Sequence, residues 1–396
     1  MTLVNNIAEA IRASATSPKE AQEELEQLLK NPTIRKLTPE DAAQLAIAVA
    51  DSGEQLGCEN REYCSVHSTG GPGSITTLLG PVLLASVSIP TAILSVSGGV
   101  AGAIDSLQCF PNYQVNFDAS SAERILSKSG LLHIGGGLSP FARGDATLWK
   151  ARGKTSTKDA YPLIAASILG KKLAVKAKKG SLDIRVGAAG NAGLTYDKAK
   201  KLASYLSAAA DCLNVRLACV LTDNSVPSLN TIGRLDYAGV LIKAVNDGKT
   251  SISKPFVQDC ITLAAAAAHA FDPSFKAEAW ADKIEIMLTS GTAKETLKKS
   301  LRAHGASQKP LETVLELLSK RREREIQVAN TVFKSEQLSN LFQIIRSKNF
   351  LMCQSCSSAF GVELAGPDGH CCVFRRKWPP VPEITDRFSE RSDEFS

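Results

Sequence analysis

The stretch SVHSTGGPGSITT, Ser65–Thr77, places three glycines within four positions, a histidine before them and hydroxyls on both sides. Glycines let a backbone approach an anion closely, and successive N–H groups then form a nest around its oxygens. Ser68, Gly70, Gly71 and Thr77 are the expected phosphate contacts, with further hydroxyls at Thr69 and Ser74. The loop carries no lysine or arginine, and the competing reading is a tight turn feeding a helix over 75–86. A second set of residues lies downstream. Ser167 and Lys171 are four apart in PLIAASILGKKLAVKAKK, so a helix projects both from one face. Arg152 lies ten residues before Pro162. A serine, a lysine and an arginine on one wall can bind a ring carrying two carbonyl oxygens; the alternative is a set of solvated surface cations. Residues 143–179 hold ten Lys or Arg against Asp145 and Asp159, enough to gather an anionic substrate or simply to aid solubility.

The elements that must position these groups alternate in character. In the first sixty residues the clearest helix is LTPEDAAQLAIAVADSGEQL, with Thr38 as cap, Pro39 at the first helical position and Glu40 and Asp41 at the positive end. Residues 162–179 read as helix, 181–193 as a buried strand ending in a glycine turn, TYDKAKKLASYLSAAADCLN as helix and 215–223 as a second buried strand. Strand, helix, strand at this spacing predicts a parallel sheet. The expected architecture is α/β: an all-helical domain built from two chain segments, 1–62 and 145–175, packed against a mostly parallel α/β domain of 63–144 and 176–318. Ligands of open parallel sheets sit beyond the carboxyl ends of the strands, here facing the cleft between the two parts. Residues 319–396 form a divergent C-terminal segment whose last fifteen residues look disordered. His269, in ITLAAAAAHAF, reads as a core or half-buried histidine rather than a catalytic one.

Composition sets outer bounds. The chain has 396 residues, a net charge of +6, 44% hydrophobic and 22% charged residues, as a globular protein of two or three domains does. Its ten cysteines are scattered and its N-terminus lacks an apolar leader, so reduced thiols and a cytoplasmic location are expected. No Asp, Glu, Lys or Arg falls between Glu62 and Asp105, but Gly80, Pro81, Pro90, Gly98 and Gly99 interrupt that run. A buried helix followed by a buried strand fits it better than a membrane span. At the end of the chain Cys353 and Cys356, with His370 and Cys371 or Cys372, have a spacing that can hold zinc; free thiols in a rearranged tail are the alternative, and no metal is assigned. Nucleic-acid binding would rest only on FRRKW and that zinc, and is not adopted.

HSTGGPG, TPEDAAQLAIAVADSGEQL and YPLIAASILGKKLA together resemble the thymidine phosphorylase and pyrimidine-nucleoside phosphorylase family, with DIRVG and VLTDNSVP following in matching order over roughly residues 1 to 315. The resemblance implies a nucleoside phosphorylase class II-like fold that closes over a pyrimidine nucleoside and phosphate, so that phosphate displaces the base. It implies Arg152, Ser167 and Lys171 as base-binding residues and His67 as the histidine near base and sugar. It also implies a homodimer paired through N-terminal helices, with phosphate as co-substrate and no cofactor. The departures lie in the anion site. Val66 stands where the family has lysine and Ser74 where it has aspartate. Aligned without gaps from Pro90, Ser95 replaces an arginine, Gly99 a histidine and Ala103 a threonine, while Gly102 and Asp105 remain. A charge-assisted hydrogen bond to phosphate contributes about 1.5–3 kcal/mol, so losing two cations removes about three decades of affinity, unless Lys154 or another cation has moved in. Hydrolysis by water, or a catalytically inactive nucleoside-binding or scaffold protein, are the alternatives that follow.

Overall fold

A computed structural model describes residues 2–57, 62–70, 74–96, 102–137, 139–187, 195–224, 229, 231–248, 254–319 and 362–363. Its centre is a five-stranded, wholly parallel sheet: β1 (Cys64–Ser68), β2 (Thr91–Val96), β3 (Leu131–Gly136), β4 (Lys179–Val186) and β5 (Arg216–Asp223), in the order β3-β2-β1-β4-β5. The chain therefore builds outward from β1 on one side and from β4 on the other. The strand order reverses between β1 and β4, and ligands of such sheets bind beyond the carboxyl ends at that reversal. Gly180 lets the two strands meet. Its φ is +151°, and a Cβ there would stand 2.0 Å from the Ser65 carbonyl oxygen.

Both faces of the sheet are covered, as a parallel sheet requires. On one face Cys64, Val66 and Leu131 pack against α4 (Thr76–Ser86), α10 (Arg234–Asp247), α11 (Lys254–Phe271), α12 (Ala277–Thr289) and α13 (Thr292–Ala303). On the other, Leu182, Ile184, Leu217 and Cys219 pack against α3 (Pro39–Asp51), α8 (Tyr161–Ala174) and α9 (Tyr196–Asp211). That second layer is extended by α1 (Leu3–Ala13), α2 (Pro18–Leu28) and α7 (Arg143–Lys154), with α1 against α2 and α3, and α7 against α2 and α8. Helix α3 starts as its sequence predicts: Thr38 accepts from the Asp41 N–H, and the Asp41 carboxylate accepts from the Thr38 N–H. It crosses α8 closely at Gly170, where a Cβ would meet Val49 at 2.5 Å.

The run between Glu62 and Asp105 is β1, α4 and β2, and among the described residues no helix is long and apolar enough to cross a membrane. The helix expected over 162–179 ends at Ala174. Lys176 takes a left-handed φ of 53° and β4 begins at Lys179, two residues earlier than the expected strand. The glycine turn over 188–193 and the candidate zinc ligands Cys353, Cys356, His370, Cys371 and Cys372 lie outside the described residues. His269 is half-buried and its Nδ1 meets the Phe275 carbonyl at 2.8 Å, as its core reading expects.

Candidate active site

Helix α8 is buried on nearly every face, its polar groups included. Ser167 and Lys171 are each 7% exposed, which overturns the surface-cation alternative. A residue on α7 explains how the lysine is accommodated. The Asp145 carboxylate accepts from Lys171 Nζ through Oδ2 at 2.8 Å and from the Ser167 hydroxyl through Oδ1 at 2.5 Å, while Lys171 also donates to Ser167 Oγ at 2.7 Å. Asp145 lies in the first turn of α7, where the helix dipole favours a negative charge. The adjacent Gly144 N–H is held by Ser52 Oγ at 2.7 Å. Three side chains from two helices thus form a closed, mutually hydrogen-bonded wall.

Arg152 stands in the last turn of α7, 3% exposed. It donates through Nη2 to the Lys158 carbonyl and through Nη1 to the Leu163 carbonyl at 3.5 Å. Burial brings its pKa down to about 10, against the pull of Asp145 and Asp159, so it remains a cation at neutral pH. Its Nε–H has no partner among the described residues.

His67, near the end of β1, lies beside Leu182 of β4 on the sheet face that meets α8. Burial, reinforced by the charges of Lys172 and Lys171, holds its pKa well below the usual imidazole value, and the ring is neutral. Neither ring nitrogen makes a hydrogen bond of good geometry among the described residues, and the Leu94 backbone only weakly favours the charged ring. Buried polar atoms are nearly always paired, so those of His67 and Arg152 are open to a polar ligand; both ring nitrogens of His133 are left in the same way. Lys172, next on α8, is fully buried and donates to Ser65 Oγ; burial pushes its pKa down to about 8.

The glycine loop is braced from beneath. Ser68 Oγ accepts from the Gly70 N–H at 3.0 Å and from the Ser74 hydroxyl at 2.7 Å, and Thr77 donates to the Ser74 carbonyl at 3.1 Å. The Thr69 N–H donates to the Asp183 carbonyl at 2.9 Å, and Thr69 Oγ1 accepts from the Arg185 N–H at 3.1 Å. Arg185 is 2% exposed; it donates to Asn224 Oδ1 from Nε at 2.9 Å and also from Nη2, and to the Gly70 carbonyl from Nη1 at 3.4 Å. Asp183 accepts from Thr76 Oγ1 at 2.8 Å and from Thr222 Oγ1, and its charge sustains the buried arginine. Burial raises the Asp183 pKa, opposed by Arg185 and the two threonines. Gly71 lies outside the described residues.

Among the described residues Arg185 is a cation at the loop, whereas Lys154 pairs with Glu26 at 2.8 Å with a side chain 63% exposed. The supposed basic patch of 143–179 is likewise divided. Arg152, Lys171 and Lys172 are internal, and Lys154 and Lys179 pair with Glu26 and Glu62. Sequence reading missed Asp145 and Arg185. The signal available for Arg185 was a charged residue inside a strand otherwise buried on both faces, which calls for a partner; Asp145, at the start of α7, gave no such signal.

No protein-family model matches the chain. A pyrimidine-nucleoside phosphorylase of Geobacillus stearothermophilus is 30% identical over 278 residues, which are 68% of this chain and 62% of that protein. One from Staphylococcus epidermidis is 30% identical over 57% of this chain and 52% of its own length. One from Staphylococcus aureus strain USA300 is 26% identical over 77% of this chain and 69% of its own length. The chain thus spans less than two thirds of the first two relatives. Among solved structures, anthranilate phosphoribosyltransferase from Thermus thermophilus superposes with a TM-score of 0.61 at 12% identity, covering 77% of this chain and all of that one. The Saccharomyces cerevisiae anthranilate phosphoribosyltransferase in complex with PRPP and Mg gives 0.55 at 11% identity over 76% and 93% of the two chains. These structures share the fold.

Proposed function

The chain is a divergent relative of the pyrimidine-nucleoside phosphorylases, and from that premise we propose that it is a pentosyltransferase cleaving the N-glycosidic bond of a pyrimidine nucleoside. The observation that carries the reading is the wall of Lys171, Ser167 and Arg152 beside a neutral His67, with orphaned polar atoms on His67 and Arg152. Lys171 and Arg152 bind the ring oxygens, with Ser167 beside them. As the bond from the sugar C1′ to the base nitrogen breaks, its electron pair stays on the base. Two cations in a water-poor site stabilise that charge better than water would. His67 hydrogen-bonds base or sugar through its neutral ring and helps the leaving base accumulate negative charge. A phosphate oxygen forms the new bond to C1′, and the loop of Ser68, Gly70, Gly71 and Thr77 holds that phosphate, with the Gly70 N–H already given to Ser68 Oγ and the Ser68 hydroxyl proton left to donate.

In the same reading the segments 1–62 and 145–175 close on 63–144 and 176–318, the N-terminal helices pair two subunits, and the protein works in the cytoplasm. A second reading, in which water or another acceptor replaces phosphate or the site only binds its ligand, is favoured by one feature of the loop. Val66 is core, and the hydroxyl protons of Ser74 and Thr77 are given within the loop, which leaves that of Ser68 to donate.

Calorimetric titration with uridine and thymidine tests the proposal. Saturable binding that is lost in Lys171→Ala is expected, and no binding by the wild type contradicts it.

A further inference from the structure

The Asp145 carboxylate joins the wall from a different helix, and its two oxygens are both committed. Oδ2 takes a proton of the Lys171 ammonium at 2.8 Å and Oδ1 takes the Ser167 hydroxyl proton at 2.5 Å. A hydroxyl has one proton and two lone pairs. With its proton given to Asp145 and one lone pair taken by Lys171 at 2.7 Å, Ser167 has one capability left, that of an acceptor. Lys171 and Arg152 have only donors. Resting on the base-wall reading above, we propose that Asp145 is a positioning residue that sets the polarity of the site: by drawing the Ser167 proton away, it makes the wall read donor, acceptor, donor.

The ring complementary to that wall presents an N–H between two carbonyl oxygens. A ring with a bare nitrogen beside an amino group turns a lone pair toward Ser167 and an N–H toward a cation, and is rejected on both counts. The discrimination follows from the hydroxyl's direction, and that direction is imposed by a side chain 22 residues away in sequence. Asparagine at 145 would reverse it. The Lys171 ammonium needs an acceptor and takes Oδ1 of the amide, so the amide N–H faces Ser167 Oγ. The Ser167 proton is then released toward the ligand.

The test is calorimetric binding of uridine and cytidine, without phosphate, to wild type, Asp145→Asn and Ser167→Ala. Wild type is expected to prefer uridine by about 100-fold or more, since a site built to pair a polar group strongly rejects a mismatch. Asp145→Asn is expected to shrink that ratio by about tenfold or reverse it. Ser167→Ala keeps the Asp145–Lys171 pair and carries the test should Asp145→Asn fail to fold; its ratio is expected to shrink likewise. A folded Asp145→Asn with the wild-type ratio overturns the inference and leaves the base wall standing. An unchanged ratio in Ser167→Ala overturns it in the same way. A wild type that binds neither nucleoside overturns both the base wall and the role of Asp145.

Discussion

At the scale of single residues, this protein buries several charges around one sheet face and gives most of them a specific partner. The Asp145–Lys171 pair illustrates the energetics. Removing one partner leaves a buried charge uncompensated, which costs about 3–5 kcal/mol, whereas replacing both by apolar groups is often near neutral. Lys171→Met is therefore expected to lower unfolding stability in denaturant by several kcal/mol, and Asp145→Leu/Lys171→Met to regain most of it. Lys172 differs, because its one described partner is the neutral Ser65 hydroxyl. Its native pKa of about 8 lies below that of an unfolded lysine, so the fold carries the full penalty below pH 8 and sheds it as pH rises toward about 10.4. Ser65→Ala/Lys172→Met is expected to raise stability at pH 7 by about 2 kcal/mol and to flatten the rise above pH 8, both read from denaturation curves.

The histidines oppose acid. His304 accepts the His133 N–H on Nε2 at 3.1 Å and contacts the Ser300 carbonyl through Nδ1 at 2.8 Å, so it is held neutral. Burial pushes His133 down to about 3 and His304 down to about 4. The unfolded chain protonates its histidines near pH 6.5 while these two stay neutral in the fold. Unfolded molecules then bind more protons, and stability falls as pH drops from about 6.5 toward 4, by about 1.4 kcal/mol per pH unit for each. His133→Gln is expected to reduce the acid slope by that amount in urea titrations across pH 4–6.5.

At the scale of elements, the site depends on two close approaches. Where β4 passes β1, Gly180 faces the Ser65 carbonyl with no room for a Cβ, and Ser65 is the residue that holds Lys172. Gly180→Ala is expected to destabilise the fold by about 3 kcal/mol or more, measured by thermal unfolding, through backbone strain and separation of the two strands that carry His67 and Asp183. Much at this scale was legible beforehand. The Thr38 cap, the i, i+4 pair on α8, the strands around DIRV and LACVLT and the buried helix and strand between Glu62 and Asp105 all follow from local patterns. What stayed hidden was tertiary. Period alone marks one polar face on α8, yet a helix between α3, α7 and the sheet is buried on nearly every side, so a surface-cation alternative stayed open for Lys171 until its burial was seen. The partners that make the burial of Lys171 and Lys172 tolerable, Asp145 and Ser65, are 26 and 107 residues distant. The inward turn of the loop hydroxyls was equally invisible, because the same serines and threonines suit a ligand or the loop itself.

At the scale of the whole molecule, the sheet brings the two halves of the chain together at the β1–β4 reversal. His67 and the loop come from one side; Asp183 and Arg185 come from the other, through the brace on Gly70. The helical layer adds Asp145, Ser167 and Lys171 on the same sheet face as His67. Lys171 and Arg152 stay internal, while Asp183 and Arg185 tie the start of the glycine loop to β4.

The most direct measurement is chromatography of free base and sugar after incubation of the purified protein with uridine, thymidine or deoxyuridine, with and without phosphate. Base release that requires phosphate, yields a sugar 1-phosphate and disappears in Lys171→Ala is the expected result; release without phosphate would assign the second, hydrolytic reading. No base release under any condition would contradict the claim that this chain is a pentosyltransferase.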